Sequence, residues 1–255
     1  MEISIANIVG AILSVGLRVS GLMLFAPFFS SATIAPRVKV VLVMAITAVL
    51  YPVYSTRVSA VAPAQWPMFV ASEVLVGIAI GLSTSAVFEG AQLAGQMLSV
   101  QMGYSLVNIL DPNTEVENTV VSMFHQGAAM LIFLSLGVHR WVIRAIANSF
   151  DYLPPGTATI NPVLARALLH EGTLVLQLGV QIAAPVLGAT LLVDLLLGLL
   201  GKASPQMPLM LLGPAVKSLL GVSVLAVTIG FWPHLFERYF SESIAYAERL
   251  LHVAR

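Results

Sequence analysis

Long apolar segments dominate this sequence and limit the folds open to it. A membrane-spanning helix needs about 20 mostly apolar residues, and six stretches qualify: 4–28, 38–54, 68–88, 119–138, 173–199 and 209–233. Only 9% of all residues are charged, whereas a soluble domain usually carries about 25%. The sequence therefore predicts an all-α integral membrane protein whose surface faces mainly lipid or other protein.

The composition also argues against several functional classes. The formal net charge is zero, so we expect no nucleic acid partner. The absence of cysteine excludes disulfides, thiolate metal sites and cysteine nucleophiles. Phosphate-binding, metalloprotease, hydrolase and dinucleotide motifs are missing, and the five histidines lack ligand spacing. We therefore expect no enzyme activity, no catalytic residues, no cofactor and no metal.

Residues 89–126 interrupt the apolar pattern. Residues 90–107 are a seventh, more polar helical stretch after 68–88. On a helix, four polar side chains of this region share one face: Glu89, Gln92, Gln96 and Ser99. In lipid, such a stripe must face a partner helix or a wet cavity. Small residues at a spacing of four predict close helix packing. They recur at Gly77, Gly81 and Ser85 in the third stretch and at Ala91, Gly95, Ser99 and Gly103 in this one.

The same region ends in a break at Asp111-Pro112, which opens a short acidic loop. A polar, irregular segment at membrane depth requires protein or water around it. We therefore expect the function to lie here. The residues alone leave two alternatives open: a secondary transporter of a small solute, whose binding site often uses broken helices, and a protein-conducting assembly.

Asp194 and Lys217 are charged residues placed symmetrically in the last two apolar stretches. If these stretches form a hairpin that turns at Pro205-Gln206, both charges lie about 17 Å from the turn. Equal heights permit an ion pair across the hairpin, which would lower the cost of either charge. The alternative is that each side chain extends separately to a membrane interface.

Three further polar residues lie within apolar stretches. Arg18 is a buried charge near the middle of the first stretch, where its cost is about 2.5 kcal/mol or more, so we expect a protein partner or a channel wall. Glu73 is near the start of its stretch, and we expect it to extend to the interface. His125 is interpreted as a hydrogen-bonded packing residue.

The remaining segments are predicted from their polarity. Residues 139–172 indicate an exposed connection, with a short helix after Pro162. The C-terminal segment from Phe236 onward is amphipathic, so we expect it to lie on an interface or on a neighbour. The N-terminus lacks the basic region and cleavage site of a signal peptide, so we expect the first span to be retained.

Two long motifs resemble the FliR/SctT family of type III secretion export-gate subunits. They are QLAGQMLSVQMGYSLVNILDP at 92–112 and DLLLGLLGKASPQMPLMLLGPAVK at 194–217. The resemblance extends over nearly the whole chain in the expected order. Two residues depart from the family pattern. Pro208 stands where relatives often carry a polar residue, and Lys202 stands where arginine is commoner.

The resemblance implies a non-enzymatic subunit of the bacterial flagellar export gate. The fold would consist of kinked helical hairpins, with a FliP-like part at about 1–135 fused to a FliQ-like hairpin and C-terminal amphipathic helix at 136–255. The implied partners are FliP and FliQ subunits, FlhB and FlhA, unfolded secretion substrates and membrane lipid. The implied location is the bacterial inner membrane, as a multi-pass protein at the flagellar basal body.

The resemblance also assigns roles to residues. The loop around Asp111 would be a pore plug, or gate loop, formed by Tyr104, Leu106, Val107, Ile109, Leu110, Asp111 and Pro112. The turn at Pro205-Gln206 would lie at the cytoplasmic entrance. The charge distribution disagrees on orientation: with six spans and a cytoplasmic N-terminus, most lysines and arginines are cytoplasmic, and the 201–208 loop falls outside.

Overall fold

The computed structural model describes residues 5–27, 34–54, 65–104, 119–158, 162–204 and 209–253. In these ranges all regular secondary structure is helical: α1 Ile5–Phe25, α2 Pro36–Tyr54, α3 Trp66–Gln101, α4 Val120–Ser135, α5 Val138–Tyr152, α6 Pro162–Ala203, α7 Leu209–Thr228 and α8 Trp232–Val253, with a 3-10 turn, Ile229–Phe231, between α7 and α8.

The helices are long and apolar enough for a multi-pass membrane protein. By length and composition, α1, α2, α3, α6 and the continuous α7–α8 segment each qualify as a membrane span. The pair α4 and α5, bent by 68°, adds a sixth span if the two helices cross together. The prediction of an all-α integral membrane protein is confirmed.

Helix α3 is longer than the sequence pattern indicated. Residues 68–88 and 90–107 were expected to form two separate helical stretches, but one helix of 36 residues runs from Trp66 to Gln101. The expected separation at Glu89-Gly90 is wrong, because a single glycine inside a helix costs only about 1 kcal/mol relative to alanine.

The predicted exposed connection at 139–172 is also wrong. Most of its first half forms α5, which buries one face of the helix, comprising Val138, Val142, Ala145, Ile146, Ser149 and Phe150. The helix expected after Pro162 does begin there, but it continues for 42 residues as α6. Proline suits this first helical position because its missing N–H would have no partner there.

Two compact units are present. Unit 1 comprises Met1–Ala86, Leu134–Gly172 and Phe240–Arg255, and unit 2 comprises Val87–Phe133 and Thr173–Tyr239. The family resemblance implies one cut in the sequence near residue 135, whereas the two units are each assembled from separated segments. The cut near residue 135 remains a prediction.

Unit 1 is built on a close approach between α1 and α3. A Cβ atom at Gly77 would overlap the backbone carbonyl of Arg18, and one at Gly81 would meet the carbonyl of Leu22. These glycines lie on the predicted small-residue stripe, which here lets two backbones touch.

The C-terminal helix α8 is amphipathic, as predicted. Its apolar positions are buried against the protein's own side chains: Phe236, Tyr239, Phe240, Ile244, Ala247 and Leu251. The helix begins at Trp232, four residues before the expected start.

Unit 2 packs α3 against α4. A Cβ atom at Gly95 would overlap the backbone of Ser122. The buried ring of His125 places Nδ1 2.7 Å from the carbonyl oxygen of Val121, and its centroid is 4.9 Å from that of Trp232. His125 is therefore a packing residue, as expected.

Candidate functional site

Arg18 is fully buried in unit 1, and each guanidinium nitrogen has a partner. Its Nε donates to Glu73 Oε2 at 2.5 Å, and its Nη1 donates to Ser149 Oγ at 2.8 Å. Its Nη2 donates to the carbonyl of Leu153 at 2.8 Å. The Gly156 N–H donates to Glu73 Oε1 at 2.7 Å. These contacts join α1, α3, α5 and the turn after α5.

The expectation that Glu73 extends to an interface is wrong. Its side chain is as buried as that of Arg18. A buried carboxylate that pairs with a guanidinium and accepts a further N–H bond is far less costly than one left alone. The partner of Arg18 belongs to the same chain, so this charge is satisfied within unit 1.

A second polar group lies in unit 2, where α3 ends against the α6–α7 hairpin. Asp194 Oδ1 and Lys217 Nζ lie within ion-pair distance, and Gln101 Nε2 donates to Asp194 Oδ2 at 3.0 Å. The hydroxyls of Tyr104 and Ser218 are hydrogen-bonded at 2.5 Å. We call these five residues the anchor cluster.

Apolar contacts reinforce the anchor cluster. Gly103 has a φ of +85°, which glycine adopts without strain, and a Cβ there would stand 3.0 Å from Pro214. The neighbouring Met102 is buried and packs against Gly221 of α7. A Cβ atom at Gly221 would stand only 2.8 Å from the Met102 sulfur. The chain therefore leaves α3 from a position fixed against α7.

The structure brings Asp194 and Lys217 together across the hairpin, at the equal heights that their sequence positions indicated. The side chains remain partly accessible, at 39% for Asp194 and 19% for Lys217. An ion pair of this exposure contributes little by itself, about 0–1 kcal/mol. Because Gln101 donates to Asp194, the ion pair also holds the end of α3 against the α6–α7 hairpin.

Most of the predicted plug lies outside the residues that the structure describes. Tyr104 is described and is 42% exposed. The other predicted plug residues, Leu106, Val107, Ile109, Leu110, Asp111 and Pro112, lie outside the described residues, and so do Pro205 and Gln206 of the hairpin turn.

The predicted polar stripe on α3 changes character along its length. Glu89 is exposed, Gln92 and Gln96 are half-buried, and Ser99 is buried. Ser99 Oγ is hydrogen-bonded to Thr119 Oγ1 at 2.5 Å. The inner end of the stripe is thus satisfied within unit 2, while a role of the outer end toward partners or a lumen stays a prediction.

Sequence reasoning did not assign a role to Gln101 or Ser218. Both are close in sequence to predicted residues: Ser218 follows Lys217, and Gln101 lies three positions before Tyr104. A search for polar residues beside the paired charges would have found them. Ser149 was missed because the whole of α5 was missed.

The family match and similar known proteins agree. Residues 9–243 match the family described as bacterial export proteins, family 1. The chain is 29% identical over 229 residues to flagellar biosynthetic protein FliR of Escherichia coli (strain K12), covering 88% of each chain. It is 24% identical over 251 residues to FliR of Bacillus subtilis (strain 168), covering 97% of each.

The similarity also reaches beyond flagellar proteins. The chain is 25% identical over 180 residues to secretion system apparatus protein SsaT of Salmonella typhimurium (strain LT2), covering 70% of this chain and 68% of that one. Because the family match covers most of the chain, the protein belongs to the bacterial export proteins, family 1, and is a component of a type III export apparatus.

Proposed function

We propose that this chain is a non-enzymatic structural and gating subunit of the flagellar type III protein export gate. It contributes part of the pore wall and the plug, and unfolded substrates pass beside it. The observation that carries the proposal is the anchor cluster, which holds the entry to the 105–118 segment against α7.

A gate loop needs a fixed base, so that its closed position is defined. Gln101 and Tyr104 supply such a base because both are hydrogen-bonded to the α6–α7 hairpin. Each of these bonds contributes about 0.5–1.5 kcal/mol. Together they fix the point at which the proposed gate loop begins.

The surface of the helices supports an assembled rather than a solitary subunit. Large apolar side chains remain exposed on α6: Leu191, Leu192, Leu195, Leu196 and Leu199. Such a surface is covered by lipid or by partner helices. We propose that FliP and FliQ subunits, with FlhB and FlhA, form those partners in the bacterial inner membrane at the flagellar basal body.

Deletion of residues 106–116 tests the gating role. The variant should assemble, because the anchor cluster and the helices of both units are retained, but it should make the membrane permeable to small ions. Ion flux into cells or vesicles measures the leak, and co-purification of partner subunits confirms assembly. Unchanged permeability in an assembled complex would overturn the plug.

Co-purification also separates this function from solute transport. A gate subunit should be recovered in a large stoichiometric complex and be unstable alone. A secondary transporter should be recovered as a folded, substrate-binding monomer or dimer.

A further inference from the structure

An apolar groove runs between α1 and α2 in unit 1. One compartment of about 540 Å³ is lined by Leu13, Gly16 and Leu17 of α1 and by Thr47, Ala48 and Tyr51 of α2, among others. A second compartment of about 440 Å³ continues it. The two share Ser20, Val43 and Met44, so they adjoin each other along the α1–α2 groove.

The groove has the length of one membrane leaflet. Its α1 wall extends from Ile12 to Leu24, which at 1.5 Å per residue is about 18 Å. A bilayer core is about 30 Å thick, so one leaflet accounts for about half of that. An extended acyl chain therefore matches the groove from end to end.

The two ends of the groove differ in charge. At the Leu24 end, Lys39 lines the wall, and Arg37 is exposed one turn or less away at the start of α2. The N-terminus of α2 adds a partial positive charge there. No acidic residue is among the described side chains that line either compartment. The exposed Arg37 and the helix N-terminus therefore attract an anionic group to this end.

The width of the groove favours a chain over a helix. Its walls are two neighbouring helices that pack against each other, and a helix with side chains is about 10–12 Å across. The flexible side chain of Met44 stands at the rim, 65% exposed. An apolar chain can lie between such walls, whereas a further helix can only rest on top of them.

We propose that the α1–α2 groove binds an anionic phospholipid, with one acyl chain along the groove and the phosphate beside Lys39 and Arg37. The site is independent of the anchor cluster and of the gating role. It would hold a lipid molecule firmly against the first helical hairpin.

Photolabelling in vesicles tests the site. The full chain, with the subunits that co-purify, is placed in phosphatidylcholine vesicles that contain a trace of phosphatidylglycerol bearing a diazirine on its acyl chain. A parallel sample carries the same photoreactive chain on phosphatidylcholine. We expect adducts of the anionic lipid on peptides of α1 and α2, several-fold above those of the neutral lipid.

Filling the groove should abolish the labelling. Ala48→Phe places a ring in the first compartment, whereas Ala45→Phe makes the same change at an exposed position of α2 outside the lining. Labelling should fall several-fold in the first variant only. If Ala48→Phe does not reach the membrane, Gly16→Leu fills the groove from the opposite wall. Equal labelling of filled and control variants would overturn the proposal.

Removing the charge should affect only the anionic lipid. Lys39→Gln should lower phosphatidylglycerol labelling about fivefold, the equivalent of about 1 kcal/mol for one cation near anionic lipid. Labelling by phosphatidylcholine should not change in this variant. The control Lys202→Gln should change labelling by neither lipid.

Crosslinking in cell membranes tests whether a protein fills the groove instead. If a photoreactive amino acid at position 48 captures a partner subunit and not lipid, a protein occupies the groove and the lipid proposal is overturned.

Discussion

At the scale of single residues, the protein tolerates charges in apolar surroundings by pairing them. Arg18 and Glu73 satisfy each other at 2.5 Å, and the Arg18 guanidinium also lies 4.0 Å from the centre of the Phe150 ring. Asp194 and Lys217 use the same device in a more accessible position. The first pair fixes helix neighbours within unit 1, and the second fixes the base of the proposed gate.

Neutralising Glu73 should be strongly destabilising. Glu73→Gln leaves the Arg18 charge buried without a counter-charge, which costs about 3–5 kcal/mol. The double replacement Arg18→Met with Glu73→Met should cost less, since no uncompensated charge remains. Thermal unfolding of the chain, purified together with the subunits that co-purify with it, measures both effects. Glu89→Gln, an exposed change on the same helix, is the control, and a Glu73→Gln variant as stable as this control would contradict the pairing.

Exchanging the hairpin charges should be tolerated. Asp194→Lys combined with Lys217→Asp retains an ion pair, whereas Asp194→Asn or Lys217→Gln leaves one charge alone. We expect the exchange to preserve more of the membrane-inserted protein and of export than either single change. The exchange should be more stable than either single variant by only about 1 kcal/mol of unfolding free energy, because both side chains are partly exposed. Equal losses in all three variants would mean that the two charges act separately.

The two pairs differ in how far sequence reveals them. Asp194 and Lys217 flank one turn at equal distances, so a hairpin geometry is sufficient to bring them together. Arg18 and Glu73 are 55 positions apart, and only the packing of α1 on α3 makes them neighbours. No spacing rule contains that information, so extension to the interface was the natural but incorrect expectation for Glu73.

At the scale of elements, hydropathy located the helices but not their ends. The apolar stretches overlap α1, α2, α3, α4, α6 and α7, because a span must be apolar. Polar residues caused the start of α6 to be predicted too late. The apolar stretch was expected to begin at 173, but Arg166 and Glu171 already lie in this helix. Helix α5 was hidden by its charged face, although its buried positions recur at spacings of three and four, which is the signal of an amphipathic helix.

Helix contact at Gly77 gives a prediction at this scale. Gly77→Ala adds a Cβ that overlaps the Arg18 backbone carbonyl, which cannot rotate away. The helices must separate, at a cost of about 1–3 kcal/mol, and the Arg18–Glu73 pair beside it should weaken. The melting temperature should fall, whereas Gly127→Ala, where nothing lies within 4 Å, should leave it unchanged or raised. Equal melting temperatures would contradict direct backbone contact.

At the scale of the whole molecule, the family and the multi-pass architecture followed from sequence, but orientation did not. The positive-inside rule places Lys202 outside, while the proposed gate places it at the cytoplasmic entrance. The rule describes bundles surrounded by lipid. A subunit enclosed by other proteins escapes it, because partner charges then contribute to the insertion energy as well.

Cysteine labelling decides the orientation, and the chain is suited to it because it contains no cysteine. Lys202 is exposed at the end of α6, so Lys202→Cys should react with an impermeant maleimide only from the cytoplasmic side, as in inverted vesicles. Val193→Cys, at a buried position, should react from neither side. If α4 and α5 cross the membrane as one bent span, Lys39→Cys lies an even number of crossings from Lys202 and should react from the same side. If Lys202→Cys reacts from outside, the α6–α7 turn lies on the side of the membrane away from the proposed entrance. If Lys202→Cys and Lys39→Cys react from different sides, α4 and α5 form a re-entrant pair and do not cross the membrane.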